Sequence, residues 1–236
     1  MNTSSHSVGD GGLATPLEQG KLNIGIFLFP GMTMMDAYAP LQVLAVSGLF
    51  NVFTFAKTPS PLPSDANVSL LPNYGFADTP PIDVLIVPGG ANPSDQMQDE
   101  EVVDFLRRSG RAAKYVTSVC TGALILAQTG LLDGYRTAIH WAYADALKAF
   151  PNVTFESRRI VHDRDRISGG GITAGLDFAL YLIGEIAGKQ QGAAMELLLE
   201  YDPAPPFQVG HPARAPLALK QGIQAKVMEL APGLFG

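Results

Sequence analysis

Three apolar runs that stop on turn residues constrain this chain more than any other feature. Leu22 to Phe29 ends on Pro30-Gly31, Ile82 to Val87 on Pro88-Gly89-Gly90, and the β-branched run Tyr115 to Val119 on Cys120-Thr121-Gly122. A strand that is apolar at successive positions buries both of its faces, which points to a parallel sheet lying under helices on either side. Helical spacing follows each run: Met34 to Val46, Asp99 to Ala113, and the apolar stretch from Ala123 to Ala127. The second of these has acids early and Arg107, Arg108 and Arg111 late, as a helix dipole prefers. Pro40 inside the first suggests a late start or a bend.

The rest of the chain continues the alternation. Asn51 to Ala56 reads as a strand, Lys57 to Asp65 as a loop with three prolines, and Asn67 to Leu71 as a short strand, an edge hairpin. Arg136 to Ile139 reads as a strand and His140 to Phe150 as a helix. Val153 to Phe155 and Arg159 to Val161 read as short strands, His162 to Arg166 as a polar turn, and Ser168 to Gly171 as a glycine-rich turn. Ile172 to Ile186, Gln190 to Glu200 and Ala215 to Leu230 read as helices. The expected fold is a doubly wound, mostly parallel α/β sheet with helices on both faces, a flavodoxin-like sandwich. Residues 1–20, rich in Ser, Gly and Thr, read as a disordered leader, and 21–236 as a single domain. In such sheets ligands sit beyond the carboxyl ends of the strands, where the strand order reverses. Pro30-Gly31, Pro88-Gly89-Gly90 and Cys120-Thr121 all leave strands at that end, so they predict one shared crevice.

Cys120 is the one cysteine of the chain. A free cysteine is by default a small buried hydrophobe. Here a strand stops at the cysteine and a helix starts just after it, with small residues at Ser118 and Gly122, the layout of a nucleophile elbow. The helix that follows would favour a thiolate. Asp36, just past the first strand, is either a helix cap or a carboxyl pushed toward its protonated form beside the sulfur, ready to act as a general acid. Gly89 and Gly90 either make a plain turn or bring backbone amides close to a bound group. With the Thr121 amide, Gly90 could form an oxyanion-type pocket. The glycines at 169–171 lack the spacing of a P-loop or a dinucleotide fingerprint, and favour close helix–sheet packing, with Gly170 a lining candidate. His140 starts a helix where its strand end could reach the crevice; packing or capping is the alternative.

Other features exclude function classes. A net charge of −6 without a basic stripe argues against nucleic acid. No run approaches a membrane span, and the N-terminus has no secretory signal pattern. A single cysteine suits a reducing cytoplasm. The four histidines show no metal-ligand spacing, and neither H-E-x-x-H nor His-x-Glu occurs.

These segments resemble the ThiJ/PfpI branch of the class I glutamine amidotransferase-like superfamily. The matching stretches are Phe27 to Pro30, Met35-Asp36, Val87 to Gly90, Tyr115 to Gly122, His140 to Tyr143, Gly169 to Leu180 and Leu199 to Phe207. Within that branch the likeness is to the isonitrile-hydrating members. The resemblance implies hydration of an isonitrile to an N-substituted formamide, without metal or organic cofactor, by a homodimer. Cys120 matches the family nucleophile, Asp36 its acidic partner, and Thr121 the residue after the nucleophile. In the implied chemistry Asp36 supplies a proton while the Cys120 thiolate attacks the terminal carbon, giving a thioimidate that water resolves. The peptidase-like branch places a histidine directly after its cysteine, where this chain has Thr121. The substrate expected from the apolar crevice is a small hydrophobic isonitrile. Two alternatives remain: a glyoxalase-like carbonyl enzyme, and a non-catalytic redox or ligand sensor. Only about thirty residues follow Phe207, too few for a helix-turn-helix pair.

Overall fold

The computed structural model describes residues 16–235. Most of the expected leader therefore lies outside the described residues. At its end Glu18 is tied down: its amide donates to Asn51 Oδ1 at 2.8 Å, and its carbonyl accepts from Asn51 Nδ2.

The central sheet has seven strands. In chain order they are β1 (Asn23–Phe27), β2 (Asn51–Ala56), β5 (Tyr74–Gly75), β6 (Val84–Val87), β7 (Tyr115–Val119), β10 (Ile160–Asp163) and β11 (Arg166–Gly169). Their spatial order is β10-β11-β7-β6-β1-β2-β5, parallel throughout except for the β10–β11 hairpin. Two small pairs lie outside it: β3 (Leu62–Pro63) with β4 (Ser69–Leu70), and β8 (Arg136–Thr137) with β9 (Thr154–Phe155). Ile24, Ile26, Leu85, Ile86 and Val119 are fully buried, as strands covered on both faces must be. The chain leaves β1 to one side for β2 and returns to the other side for β6, so the order reverses between β1 and β6.

The helices are α1 (Met34–Val46), α2 (Ser94–Gln98), α3 (Glu100–Ala112), α4 (Gly122–Gln128), α5 (Ala174–Ala187), α6 (Lys189–Leu198) and α7 (Leu217–Leu230). One layer joins α1, α5 and α6; the other joins α2, α3 and α4. The fold is the doubly wound flavodoxin-like sandwich that the alternation of strands and helices predicts. Asp99 starts α3 by accepting the amides of Glu101 and Val102.

Some elements differ from expectation. α1 begins at Met34 and runs through Pro40. That proline has no N–H to give the Asp36 carbonyl, and its ring lies against Gly175 of α5. Residues 141–149 form a 3-10 helix rather than an α-helix. Only Arg164-Asp165 turn between β10 and β11, with Arg164 at φ +58°, so the polar turn is shorter than its charge run suggests. Ser168 and Gly169 belong to β11, where Gly169 pairs with Val119, and the glycine-rich turn shrinks to Gly170-Gly171. The edge strand β5 and the short α2 have no periodic signal of their own. Among the described residues, no helix is long and apolar enough to cross a membrane.

Candidate active site

The C-terminal ends of β1, β6 and β7 bring three segments together beside the reversal in strand order. Cys120 sits on the turn between β7 and α4 with φ +60°. That left-handed conformation is rare for a residue with a side chain and stores backbone strain. What holds it is the glycine run: the Cys120 amide donates to the carbonyls of Gly170 at 2.8 Å and Gly169 at 3.1 Å. Two residues on, a Cβ on Gly122 would lie 2.0 Å from the Val87 carbonyl oxygen, so only glycine lets α4 start this close to β6.

Asp36 projects from the first turn of α1 and is fully buried. It does not cap its own helix. Instead Oδ2 accepts the Gly89 amide at 3.0 Å, across the crevice. The first amide of α1, from Met34, goes to Asp65 Oδ1 at 2.9 Å. The geometry gives Asp36 no capping bond to α1, although its place in the first turn still sets it against the helix dipole. Burial pushes the Asp36 carboxyl up to about 7, against the Gly89 amide and a hydrogen bond with Cys120, which pull it down. Its second oxygen, Oδ1, is buried with no partner.

Burial works against the expected thiolate. Burial pushes the Cys120 thiol well up, and the nearby Asp36 charge adds to it; the Thr121 amide opposes both. The short α4 starts two residues beyond the sulfur, while desolvation and the neighbouring carboxylate both disfavour a sulfur anion. Asp36 and Cys120 lie close enough that each shifts the other's titration.

The oxyanion pocket built on Gly90 is corrected. The Gly90 amide donates to Thr121 Oγ1 at 2.8 Å, and the Thr121 hydroxyl donates back to the Gly90 carbonyl at 2.7 Å. Gly89 gives its amide to Asp36. Both glycine amides therefore position side chains, and neither is free to face a ligand. The Thr121 hydroxyl donates to the Gly90 carbonyl and also lies within reach of the sulfur, to which Thr121 offers its backbone amide as well.

His140 and Gly170 line a cavity of about 350 Å³ next to the elbow. It adjoins Cys120 through Gly170, whose carbonyl holds the cysteine amide. His140 caps the 3-10 helix, with Nδ1 accepting from Ala142, and the edge of its ring lies against Gly171. Burial pushes its pKa down, so the ring is neutral with its proton on Nε2. The cavity wall mixes charged and apolar groups: Arg158, Arg159 and Arg214 stand beside Ile139, Trp141 and Phe155. Tyr143 was not singled out as a site residue. Its hydroxyl donates to the Ala91 carbonyl at 2.6 Å, and burial, with the nearby Cys120, pushes its pKa to about 12. Its place one turn after His140 was the available signal. Among the described residues, no group of three His, Cys, Asp or Glu side chains could hold a metal ion.

The chain is 43% identical, over 84% of its length and 86% of the relative's, to an isonitrile hydratase of Pseudomonas putida. It is 29% identical to the HTH-type transcriptional regulator GbdR of Pseudomonas aeruginosa, of which it spans 53%. The crystal structure of a ThiJ/PfpI family protein from Pseudomonas syringae superposes with a TM-score of 0.85 at 35% identity, covering 99% of this chain and 98% of that one. Residues 23–185 match the DJ-1/PfpI family, and with a relative this similar over most of both lengths the chain belongs to that family.

Proposed function

We propose that this chain is a hydro-lyase that adds water to an isonitrile, R–N≡C, to give an N-substituted formamide, with Cys120 as nucleophile and Asp36 as general acid and base. The observation that carries the reading is the buried Asp36–Cys120 pair, with Asp36 Oδ1 lacking any protein partner. The 43% identity to an isonitrile hydratase supports the reaction class.

Near neutral pH the pair holds one proton that can move between sulfur and carboxyl. Asp36 takes the thiol proton and passes it to the terminal carbon of the isonitrile while sulfur bonds to that carbon. The product is the thioimidate R–N=CH–S–Cys120, with the former lone-pair carbon now carrying both hydrogen and sulfur. Asp36, again a carboxylate, removes a proton from water as its oxygen adds to the same carbon, and delivers it to nitrogen. The tetrahedral R–NH–CH(OH)–S–Cys120 then expels sulfur as the hydroxyl becomes the formyl carbonyl. The released proton returns to the pair, so nothing is consumed except water. The Thr121 amide steadies negative charge on sulfur as it arrives and leaves. No histidine is needed, because one acid with a pKa near neutrality serves both directions. The reading takes the enzyme as a homodimer acting in a reducing cytoplasm on a small substrate.

The test is to incubate the purified chain with cyclohexyl isonitrile and follow the N-formamide by chromatography, with Cys120→Ala and Asp36→Asn in parallel. Formamide from the wild type, reduced at least about 1,000-fold in both variants, is the expected result. Formamide persisting in Cys120→Ala overturns the covalent route. A folded wild type that makes no formamide from several isonitriles, but converts glyoxals to hydroxy acids, overturns the reaction class.

A further inference from the structure

The cavity beside the elbow has a charge pattern that a neutral substrate does not require. Its wall holds three arginines and no aspartate or glutamate, in a chain whose net charge is −6. The three arginines differ in what they already do. Arg159 is occupied: it pairs with Asp177 and donates to the Thr173 carbonyl at 2.9 Å. Arg158 approaches Glu156 only at 3.8 Å, and that carboxylate is already held by Arg136 at 2.8 Å. Arg214 has no acidic partner among the described residues; only its backbone amide is engaged, by the His211 carbonyl. Arg158 and Arg214 therefore contribute to the wall with their charge less fully answered than that of Arg159. The hydroxyls of Ser157 and Thr173 and the neutral His140 ring add neutral polar groups. Ile139, Trp141, Phe155 and Ile172 supply apolar and aromatic wall.

We propose that this cavity binds a carboxylate, and that the isonitrile this enzyme prefers has an apolar or aromatic body ending in a carboxylate held by Arg214 and Arg158. A planar guanidinium fork matches a carboxylate through two parallel hydrogen bonds, and the apolar wall suits the body between the two ends. Gly170 lines the cavity and its carbonyl holds the Cys120 amide, which sets the cavity beside the elbow. As to substrate, the inference rests on the hydratase reading; carboxylate binding itself does not.

Two measurements separate those layers. Trp141 is the one tryptophan of the chain and lines the cavity, so its fluorescence reports binding directly. Benzoate produces a saturable change that benzamide does not, and the change is lost in Arg214→Gln and Arg158→Gln/Arg214→Gln. In turnover, 4-isocyanobenzoate exceeds its methyl ester by about tenfold in kcat/KM, mostly through KM, and the ratio falls toward one in the double variant and in high salt. Both arginines are on the surface, and melting curves confirm that the variants fold. No saturable benzoate signal, a signal unchanged in the variants, or equal kcat/KM for acid and ester each overturns the proposal. Arginine-dependent benzoate binding without turnover of either isonitrile upholds the carboxylate site and overturns the hydratase reading instead. Turnover of both isonitriles without discrimination upholds the hydratase and overturns the preference.

Discussion

Thr121 and Gly90 clasp each other by two hydrogen bonds: the Gly90 amide donates to Thr121 Oγ1 at 2.8 Å, and the hydroxyl donates to the Gly90 carbonyl at 2.7 Å. One side chain thereby locks the loop after β6 to the turn after β7. Both residues are buried, so neither group of Gly90 can turn to water instead.

Thr121→Val keeps the shape but removes both partners. Leaving a buried amide and a buried carbonyl unpaired costs on the order of 3 kcal/mol. Urea unfolding should show that loss, whereas Thr121→Ser, which keeps the hydroxyl, should stay within about 1 kcal/mol of wild type. Formamide production should fall with the valine and survive with the serine, since the loop that carries Gly89 also holds Asp36.

Asp36 sets the lower limb of the pH profile. Its carboxyl is pushed up to about 7, while burial holds the Cys120 thiol far higher. The state with one proton on the pair is the active one, so kcat/KM should rise as pH passes through about 7 and stay level through the mildly alkaline range. A rate that is flat from pH 5 to 8 removes Asp36 from the reaction. The same limb should vanish in Asp36→Asn, together with nearly all of the rate.

The same shift makes a prediction about stability. The folded-state pKa lies above the unfolded value of 3.8, so the native state binds more protons between about 4 and 7, and stability falls as pH rises through that window. Above it the charged, buried carboxylate costs on the order of 4 kcal/mol, at about 1.4 kcal/mol per unit. Asp36→Asn has no such charge. Its melting temperature relative to wild type should climb between pH 5 and pH 8, measured by calorimetry in matched buffers. A difference independent of pH would mean that the carboxyl titrates normally.

Gly89→Ala and Gly90→Ala should behave differently. A Cβ at 89 would lie 2.5 Å from both the amide nitrogen and Oγ1 of Thr121, and 3.0 Å from Asp36 Oδ2. Relief requires moving the proposed acid or the residue after the nucleophile, so activity should drop more than about 100-fold. At 90 the nearest atom would be the Gly31 carbonyl oxygen at 3.2 Å, a contact that shifts of a few tenths of an ångström relieve. Kinetics on both variants, with melting curves to exclude unfolding, give the comparison.

The strands and the elbow were legible because their signals are local. An unbroken apolar run must be buried on both faces wherever it lies, and a strand that stops at a small-residue turn before a helix needs no distant partner to be read. The charge run at His162 to Arg166 misled for the same reason: polarity suggests a turn, yet β10 and β11 pair through most of it. β5 was illegible because two residues show no period, and its existence depends on the neighbouring edge of β2.

In the candidate site, the identities of Cys120, Asp36, Thr121 and the glycines were readable, but their division of labour was not. Sequence alone determined that three strand ends with small or reactive residues would converge at one edge of a parallel sheet. Only the tertiary structure decided that the Gly89 and Gly90 amides hold Asp36 and Thr121, that burial pushes the Cys120 thiol up, and that arginines from distant segments line the neighbouring cavity. Hydrogen-bond partnership and desolvation depend on which groups the folded chain places within a few ångströms, and no local pattern of residues encodes that distance.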